Sequence, residues 1–365
     1  MSVEFQPHLV TLAREAAGLT QGAVAVGAQI SQALISKIEN GLESASRDVL
    51  ERIAVECEVP IEFFYQPEPI LGEGLVDIFH KKRLTLPAKP LKRANAIVNV
   101  TRMEALRLMR TLELNDVSEF PTFPLDEHES IEEVAQLVRA TWRIPAGPLP
   151  DLIALVEAAA IPIFLLPLGH EKLSAISLPG ANGEIIIVLN RDLPPSARRF
   201  ALAHEIGHLV LQHGAASTDM ERDADKFASA LLMPAEDIKR SLRNVKFRDL
   251  GALKPIWRVS IAALIYRAHD LGEITDRHYR TLNMQLSQMP GGRKHEPGEF
   301  RGEEPRLIPH ILSHYQDDLS YSVEDLTKLM VMKESVFREK YLGETARPLR
   351  AVGSERPAHQ LSVIH

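Results

Sequence analysis

Two histidines and a glutamate occur at a spacing that favours metal chemistry. His204, Glu205 and His208 lie in the stretch RRFALAHEIGHLVL, residues 198–211. Histidines four residues apart on a helix share one face, so both rings can reach a single zinc ion. The glutamate after the first histidine then lies beside the metal, where it can accept a proton from water. The alternative interpretation of so short a motif is a core helix that carries two hydrogen-bonded histidines.

A second acidic stretch supplies what a zinc site still needs. It begins thirteen residues after His208, reads ERDADKFASALLMP over residues 221–234, and has its apolar residues at helical spacing. Glu221 and Asp225 lie one turn apart, so they share a face of this helix. Glu221 can be the third protein ligand, and Asp225 can accept the outer N–H of a ligand histidine. The alternative is an amphipathic helix with a solvated acidic face, but the two stretches together favour zinc.

These two stretches, with the strand-like EIIIVLN of residues 184–190 before them, resemble the ImmA/IrrE family of zincin metallopeptidases. The resemblance covers about residues 148–234, and we place the whole catalytic domain at 130–287. It implies a small sheet that covers the active-site helix. It also implies Zn²⁺ as the cofactor, with Mn²⁺ as the alternative. The implied roles are metal ligand for His204, His208 and Glu221, general base for Glu205, and orientation of a ligand histidine for Asp225.

Two questions about this site stay open at the level of the sequence. Asp223 lies on the same predicted helix as Glu221 and is the alternative third ligand. A hydrolase of this kind also needs a hydrogen-bond donor for the oxyanion that forms during peptide cleavage. The sequence does not choose among the candidates for that role, which are His213, Tyr266, His269 and His278.

Residues 8 to about 65 have the caps and spacing of five short helices, and we assign 1–70 to one domain. Ser31 is placed to cap the third helix and Gly41 to end it. The segment SQALISKIENG between them resembles the XRE, or Cro-like repressor, helix-turn-helix domain. The resemblance implies that this helix lies in the major groove of DNA. Candidate DNA contacts are Gln32, Ala33, Ser36 and Lys37 on this helix, and Gln21 for the DNA backbone.

The charge of the first domain fits DNA poorly. Residues 1–69 hold ten acidic residues against four basic ones, which are Arg14, Lys37, Arg47 and Arg52. Phosphate contacts supply much of the affinity of DNA-binding proteins, so a protein–protein module is the alternative. The segment 81–110 carries nine basic residues and one acidic residue, Glu104. It can either bind phosphates beside the first domain or form a solvated connector.

The whole chain has 365 residues, a net charge of −7, 45% hydrophobic residues and one cysteine, Cys57. This composition predicts a soluble protein with two or three domains, and a single cysteine excludes an internal disulfide and fits a reducing cytoplasm. No secretion signal or membrane span is recognised in the sequence, so we expect a cytoplasmic protein. The remaining segments are interpreted as a basic helical connector (71–129), a flexible linker (288–306), a small helical subdomain (307–342) and a tail (343–365).

We therefore expect a mainly α protein with a small β-sheet, an α+β arrangement. A five-helix helix-turn-helix domain precedes a zincin-like metallopeptidase domain and a small helical C-terminal region. One functional hypothesis is a regulator that binds a double-stranded DNA operator, as a homodimer, and cleaves a repressor-like protein with its zinc site. The other is a DNA-binding regulator or antitoxin whose zincin domain senses or dimerises without catalysis.

Overall fold

The computed structural model describes residues 5–67, 70, 87–110, 112, 117–179, 184–211, 219–292 and 295–344. The predicted fold class is confirmed, because the described chain is mainly helical with one three-stranded sheet. Three sequence-based assignments lie outside these residues. They are the basic triplet 81–83, the candidate donor His213 and most of the tail.

The N-terminal helices begin where polar residues can cap them. Helices α1 (Pro7–Ala16), α2 (Gln21–Gly27), α3 (Gln32–Glu39) and α4 (Arg47–Glu56) are followed by a 3-10 turn, Ile61–Tyr65. The side chains of Thr20, Ser31 and Ser46 each accept a hydrogen bond from a backbone N–H in the first turn of α2, α3 and α4. Apolar residues from all five segments form one core. The cap pattern predicted from the sequence is therefore present.

A long helix, α5 (Ala88–Met109), joins the N-terminal helices to the rest of the protein. Ala96 and Met103 on one side belong to the core of the N-terminal helices. Ala94 and Val98 on another side pack in a second core with the sheet and the C-terminal helices. Arg107, which is 8% exposed, donates a hydrogen bond to a carbonyl of the C-terminal region. The middle of this helix is therefore a buried element of the fold rather than a solvated connector.

The sheet lies between two helical layers. Strands β1 (Ile163–Leu166), β2 (Ala175–Pro179) and β3 (Ile185–Asn190) have the order β1-β3-β2, with β1 parallel and β2 antiparallel to β3. Alternate residues of a strand point to opposite faces. Ile187 therefore packs in the core of the catalytic domain, whereas Val188 packs against the α5 side.

The first helical layer contains the two helices that carry the predicted metal ligands. Helices α6 (Ile131–Thr141) and α7 (Leu152–Glu157) precede the sheet, and α8 (Pro195–Leu211) and α9 (Met220–Leu232) follow it. Gly207 lies where α8 meets α9, and a Cβ atom at this position would be 3.2 Å from the Cα of Ala224. Glycine inside a helix costs about 1 kcal/mol relative to alanine. Here its missing side chain permits the close approach of the two helices.

Four further helices complete this layer, and three C-terminal helices lie on the other side of the sheet. The first group is α10 (Ala235–Leu242), α11 (Phe247–Trp257), α12 (Ile261–Asp270) and α13 (Asp276–Gln288). The second group is α14 (Leu307–Asp317), α15 (Val323–Met330) and α16 (Glu334–Tyr341), which share a core with α5 and the sheet. No helix in the described ranges is both long and apolar enough to span a membrane.

The segment between α13 and α14, expected to be a flexible linker, is instead tied to the catalytic domain by three glutamates. Glu296 accepts hydrogen bonds from the first two backbone N–H groups of α12, at 2.6 and 3.1 Å. Glu299 accepts one from the first turn of α8, at 2.7 Å. Glu303 accepts two from the start of α7, at 3.1 and 3.3 Å, and forms an ion pair with buried Arg199. Carboxylates at helix N-termini satisfy N–H groups that have no partner within the helix.

Candidate metal centre and DNA-facing surface

His204, His208 and Glu221 converge on one point between α8 and α9. The Nε2 atoms of the two histidines are 3.0 Å apart. Glu221 places one carboxylate oxygen 3.6 Å from Nε2 of His204 and the other 3.3 Å from Nε2 of His208. The three ligand atoms all lie within 4.8 Å of one another. Two imidazoles and one carboxylate are a common ligand set of catalytic zinc, with a fourth position left for water, so these residues fit the metal that the motif predicts.

Asp225 contacts the outer nitrogen of one histidine. Its carboxylate oxygen is 2.8 Å from Nδ1 of His204. A proton on Nδ1 that is donated to this carboxylate leaves the lone pair of Nε2 directed at the centre of the cluster. Hydrogen bonds from His204 and His208 hold the pKa of Glu221 far below its usual range. The cluster therefore presents the Nε2 atoms of two imidazoles and one ionised carboxylate to a common point.

The alternative third ligand, Asp223, lies outside this cluster. Its side chain is 3.8 Å from Nε of Arg222, and the group of residues that could hold a metal ion contains Glu221 instead. The helical spacing explains the difference. Residues 221 and 225 share the face of α9 that packs on α8, and residue 223 is about half a turn away.

Glu205 is held by a strand that the sequence analysis did not connect with the site. One of its carboxylate oxygens, Oε2, accepts hydrogen bonds from the backbone N–H and the hydroxyl of Ser177, at 3.0 and 2.5 Å. Ser177 lies in β2 and is 2% exposed. The only hint in the sequence is that Ser177 is a polar residue in an otherwise apolar strand. That hint becomes useful only once the structure shows that Ser177 faces Glu205.

Strand β2 also forms one wall of a cleft beside the metal ligands. The cleft has a volume of about 370 Å³, and it is lined by His204, Glu205 and Glu221, by Ala175 and Ile176 of β2, and by α12. The backbone N–H of Asn190 bonds to the carbonyl of Ser174 at 2.9 Å. Because hydrogen bonding alternates along an antiparallel pair, the backbone groups of Ala175 and Ser177 point away from β3, toward the edge of the sheet.

The structure separates the three candidates for the oxyanion donor that lie among the described residues. Tyr266 lines the cleft together with the metal ligands, and burial raises the pKa of its hydroxyl, so this group stays protonated at neutral pH. His269 is 2.7 Å from the carboxylate of Asp276 on the protein surface. His278 is not among the residues that line the cleft. Of the described candidates, Tyr266 is therefore the one placed to donate to a bound substrate.

Most of the candidate DNA-contacting residues of α3 are accessible to solvent. Gln32, Ala33 and Lys37 are exposed, and Ser36 is half-buried. The amide of Gln21 donates a hydrogen bond to Glu39 at 2.9 Å. A Cβ atom at Gly22 would be 3.9 Å from the side-chain oxygen of Gln32, so the start of α2 lies beside the base-contacting end of α3.

All four cations of the N-terminal helices are paired with carboxylates of the same region. Arg14 contacts Glu39 at 2.5 Å, Arg47 contacts Glu51 at 2.8 Å, Arg52 contacts Asp48 at 2.9 Å, and Lys37 lies 3.8 Å from Glu43. The Arg14–Glu39 pair is mostly buried and links α1 to α3. The first domain is therefore even less suited to bind phosphates than its charge count indicates, because nearby carboxylates already partly neutralise its few cations.

Together, the fold and the ligand cluster define a helix-turn-helix protein that carries a zincin-like peptidase domain. Comparison with known families agrees. Residues 8–62 match the family model described as a helix-turn-helix domain, and residues 156–269 match the peptidase model described as an IrrE N-terminal-like domain. The chain therefore contains both domains, which confirms the predicted pair. No curated protein matches the chain.

Proposed function

We propose that this protein is a DNA-binding transcriptional regulator of the XRE type whose second domain is a zinc-dependent endopeptidase. The observation that carries the enzymatic part is the convergence of His204, His208 and Glu221 at the edge of a cleft that also contains Glu205. A core helix with two hydrogen-bonded histidines does not require both rings and a carboxylate of another helix to converge on one point. A divalent ion there would supply a Lewis acid that polarises the scissile carbonyl and acidifies water.

The chain's own residues can then perform the remaining steps of peptide hydrolysis. Glu205 accepts a proton from the attacking water, whose oxygen adds to the carbonyl carbon. When the C–N bond breaks, Glu205 passes that proton to the departing amine. The hydroxyl of Tyr266 can donate a hydrogen bond to the carbonyl oxygen as it gains negative charge.

The cleft also supports a polypeptide as the substrate. The outward backbone groups of Ala175 lie on an edge strand that borders the metal ligands. An extended segment can add to such an edge through main-chain hydrogen bonds. The family resemblance favours a repressor-like regulatory protein, and this substrate, a palindromic operator and a homodimer all belong to the proposal.

The proposal is tested by metal analysis and cleavage with matched variants. The wild-type protein should contain about one zinc or manganese ion per chain and should cut a candidate repressor of its host into defined fragments. Glu205→Gln should retain the metal and lose cleavage. Glu236→Gln, an exposed glutamate on α10, should retain both.

Two results would count against the enzymatic part. The first is a wild-type chain that binds no divalent ion. The second is a loaded wild-type chain that is as inert as Glu205→Gln toward every candidate, which would favour a sensing or dimerising role for the domain.

A further inference from the structure

We infer that the first two turns of α5, outside the helix-turn-helix domain, form the surface that binds the phosphates of duplex DNA. The inference rests on the proposed DNA binding and concerns which residues supply the positive charge. The helix-turn-helix domain itself supplies little, because Arg14, Lys37, Arg47 and Arg52 each face a carboxylate.

Three exposed cations begin α5, at Lys89, Lys92 and Arg93. Positions 89, 92 and 93 share one helix face, because residues three and four apart are neighbours. No acidic residue lies in the first turn of the helix. Within the described part of the chain, none of the three cations has a recorded ion pair. They therefore form a concentrated positive surface that no carboxylate of the described residues pairs with.

The same helix face continues into the core of the helix-turn-helix domain. Ala96 and Met103 follow Lys89 at intervals of seven residues, or about two helical turns, so they lie on the face that also carries Lys92 and Arg93. Both pack against the N-terminal helices. The three cations therefore lie on the side of α5 that meets the helix-turn-helix domain. Farther along the helix, Arg102 and Arg107 are buried, so they are excluded from a contact with DNA.

A direct contact fixes the position of this surface relative to the DNA-contacting helices. The guanidinium of Arg93 lies over Gly18, where a Cβ atom would be 3.1 Å from its Nε. Gly18 lies in the turn between α1 and α2 and has φ of +74°. Gly22, four residues later, approaches Gln32 at the base-contacting end of α3. Arg93 thus lies next to the turn that leads into α2, and the start of α2 lies beside the candidate base contacts.

The placement of Lys89 in the first turn of α5 is unfavourable for the isolated protein. The N-terminal end of a helix carries partial positive charge, and acidic residues are preferred there. Local preferences that are broken without compensation within the fold point to functional sites. A phosphate backbone along this face would provide the missing negative charge. Such contacts hold and orient DNA without selecting its sequence.

The test compares two triple variants that remove the same charge. The first is Lys89→Gln/Lys92→Gln/Arg93→Gln. The control is Arg240→Gln/Arg277→Gln/Arg280→Gln, which removes exposed cations of α10 and α13. Duplex DNA obtained by selection from random sequence, and a scrambled duplex, are titrated by fluorescence anisotropy between low and high salt.

We expect the slope of log affinity against log salt to fall by about two to three in the first variant, with roughly tenfold to hundredfold weaker binding near 0.1 M salt. The control should keep the wild-type slope, and the sequence preference of the first variant should be unchanged. Its melting temperature should stay close to that of the wild type, because the three side chains are exposed.

Three outcomes separate the possible failures. A first variant with the wild-type salt slope would overturn the role of α5, and weaker binding with that same slope and a lower melting temperature would make the cations structural. A wild-type protein that binds no duplex even at low salt would overturn the proposed DNA binding itself.

Discussion

The candidate metal centre and the candidate DNA-facing surface belong to one chain but are built differently. At the metal centre, His204 and Asp225 are 21 residues apart and come from two helices in direct contact. Their side chains are oriented by the packing of α8 on α9. At the DNA-facing surface, Gln32 and Arg93 come from separate segments that meet only because α5 packs on the first domain.

This difference determines how each region should respond to substitution. In a buried cluster, loss of a ligand removes the function, and loss of a group that orients a ligand or the general base weakens it. On an exposed surface, phosphate contacts contribute in parallel, and each loss weakens binding by a limited amount. Single substitutions of the candidate metal ligands should therefore abolish a function that single substitutions at the DNA-facing surface only weaken.

Glu221→Ala should abolish metal binding at stoichiometric concentrations and with it any cleavage. The variant leaves two histidines, whose nitrogen atoms are 3.0 Å apart, without the negatively charged ligand. Metal content after gel filtration is the measurement. Asp223→Asn is the matched control on the same helix and should retain the metal. Loss of metal in the control but not in Glu221→Ala would identify Asp223 as the ligand.

Asp225→Ala should weaken metal affinity by about tenfold to a hundredfold, as expected when the partner of a ligand histidine is removed. The reason is that His204 loses the acceptor that fixes its ring, 2.8 Å from Nδ1. Competition with a chromophoric chelator measures the affinity. Asp219→Asn, an exposed position at the start of α9, should leave the affinity unchanged. Equal affinities in wild type and Asp225→Ala would show that packing alone orients the ring.

The convergence of the candidate metal ligands could be anticipated from the sequence, because helical spacing decides which side chains share a face. His204 and His208 are one turn apart in α8, and Glu221 and Asp225 are one turn apart in α9. The helix caps of the first domain were predictable for a related reason, since Ser31 and Ser46 act within four residues of their own position. In each case the feature depends on residues that are at most four positions apart in the sequence.

Features that depend on distant packing could not be predicted. The serine that holds Glu205 is 28 residues away in the chain. The segment 288–306 has the composition of a flexible linker, but Glu296 and Glu303 face helix N-termini that the sequence does not place beside them. Likewise, the basic composition of α5 does not reveal that Arg107 is buried or that Arg93 contacts the first domain.

Gln32→Ala should weaken binding to the selected operator by roughly 1–2 kcal/mol, about fivefold to thirtyfold, and should relax the preference for one base pair. Gln32 is exposed at the start of α3, where helix-turn-helix proteins contact base edges. Titration of the operator and of single-base variants checks both effects. The salt slope should stay at the wild-type value, in contrast to the effect of substitutions in α5. A uniform loss across all duplexes would instead make Gln32 a backbone contact.

Ser177→Ala should lower kcat by roughly tenfold, with little change in KM. The hydroxyl is one of two donors to the same oxygen of Glu205, and the backbone N–H remains in the variant. A hydrogen bond to a charged group contributes about 1.5–3 kcal/mol, so the lower end of that range is expected. Cleavage of the same substrate at several concentrations separates the two constants.

Two further measurements distinguish the positioning of Glu205 from a general loss of structure. Metal content should be unchanged in Ser177→Ala, and Ser177→Thr, which keeps the hydroxyl in a strand-compatible residue, should recover most of kcat. In the metal-free protein, Ser177→Ala and Glu205→Gln should shift the melting temperature non-additively, because each removes the same contact. Additive shifts, together with a wild-type kcat in Ser177→Ala, would mean that the strand does not orient Glu205. The metal centre would then depend on α8 and α9 alone.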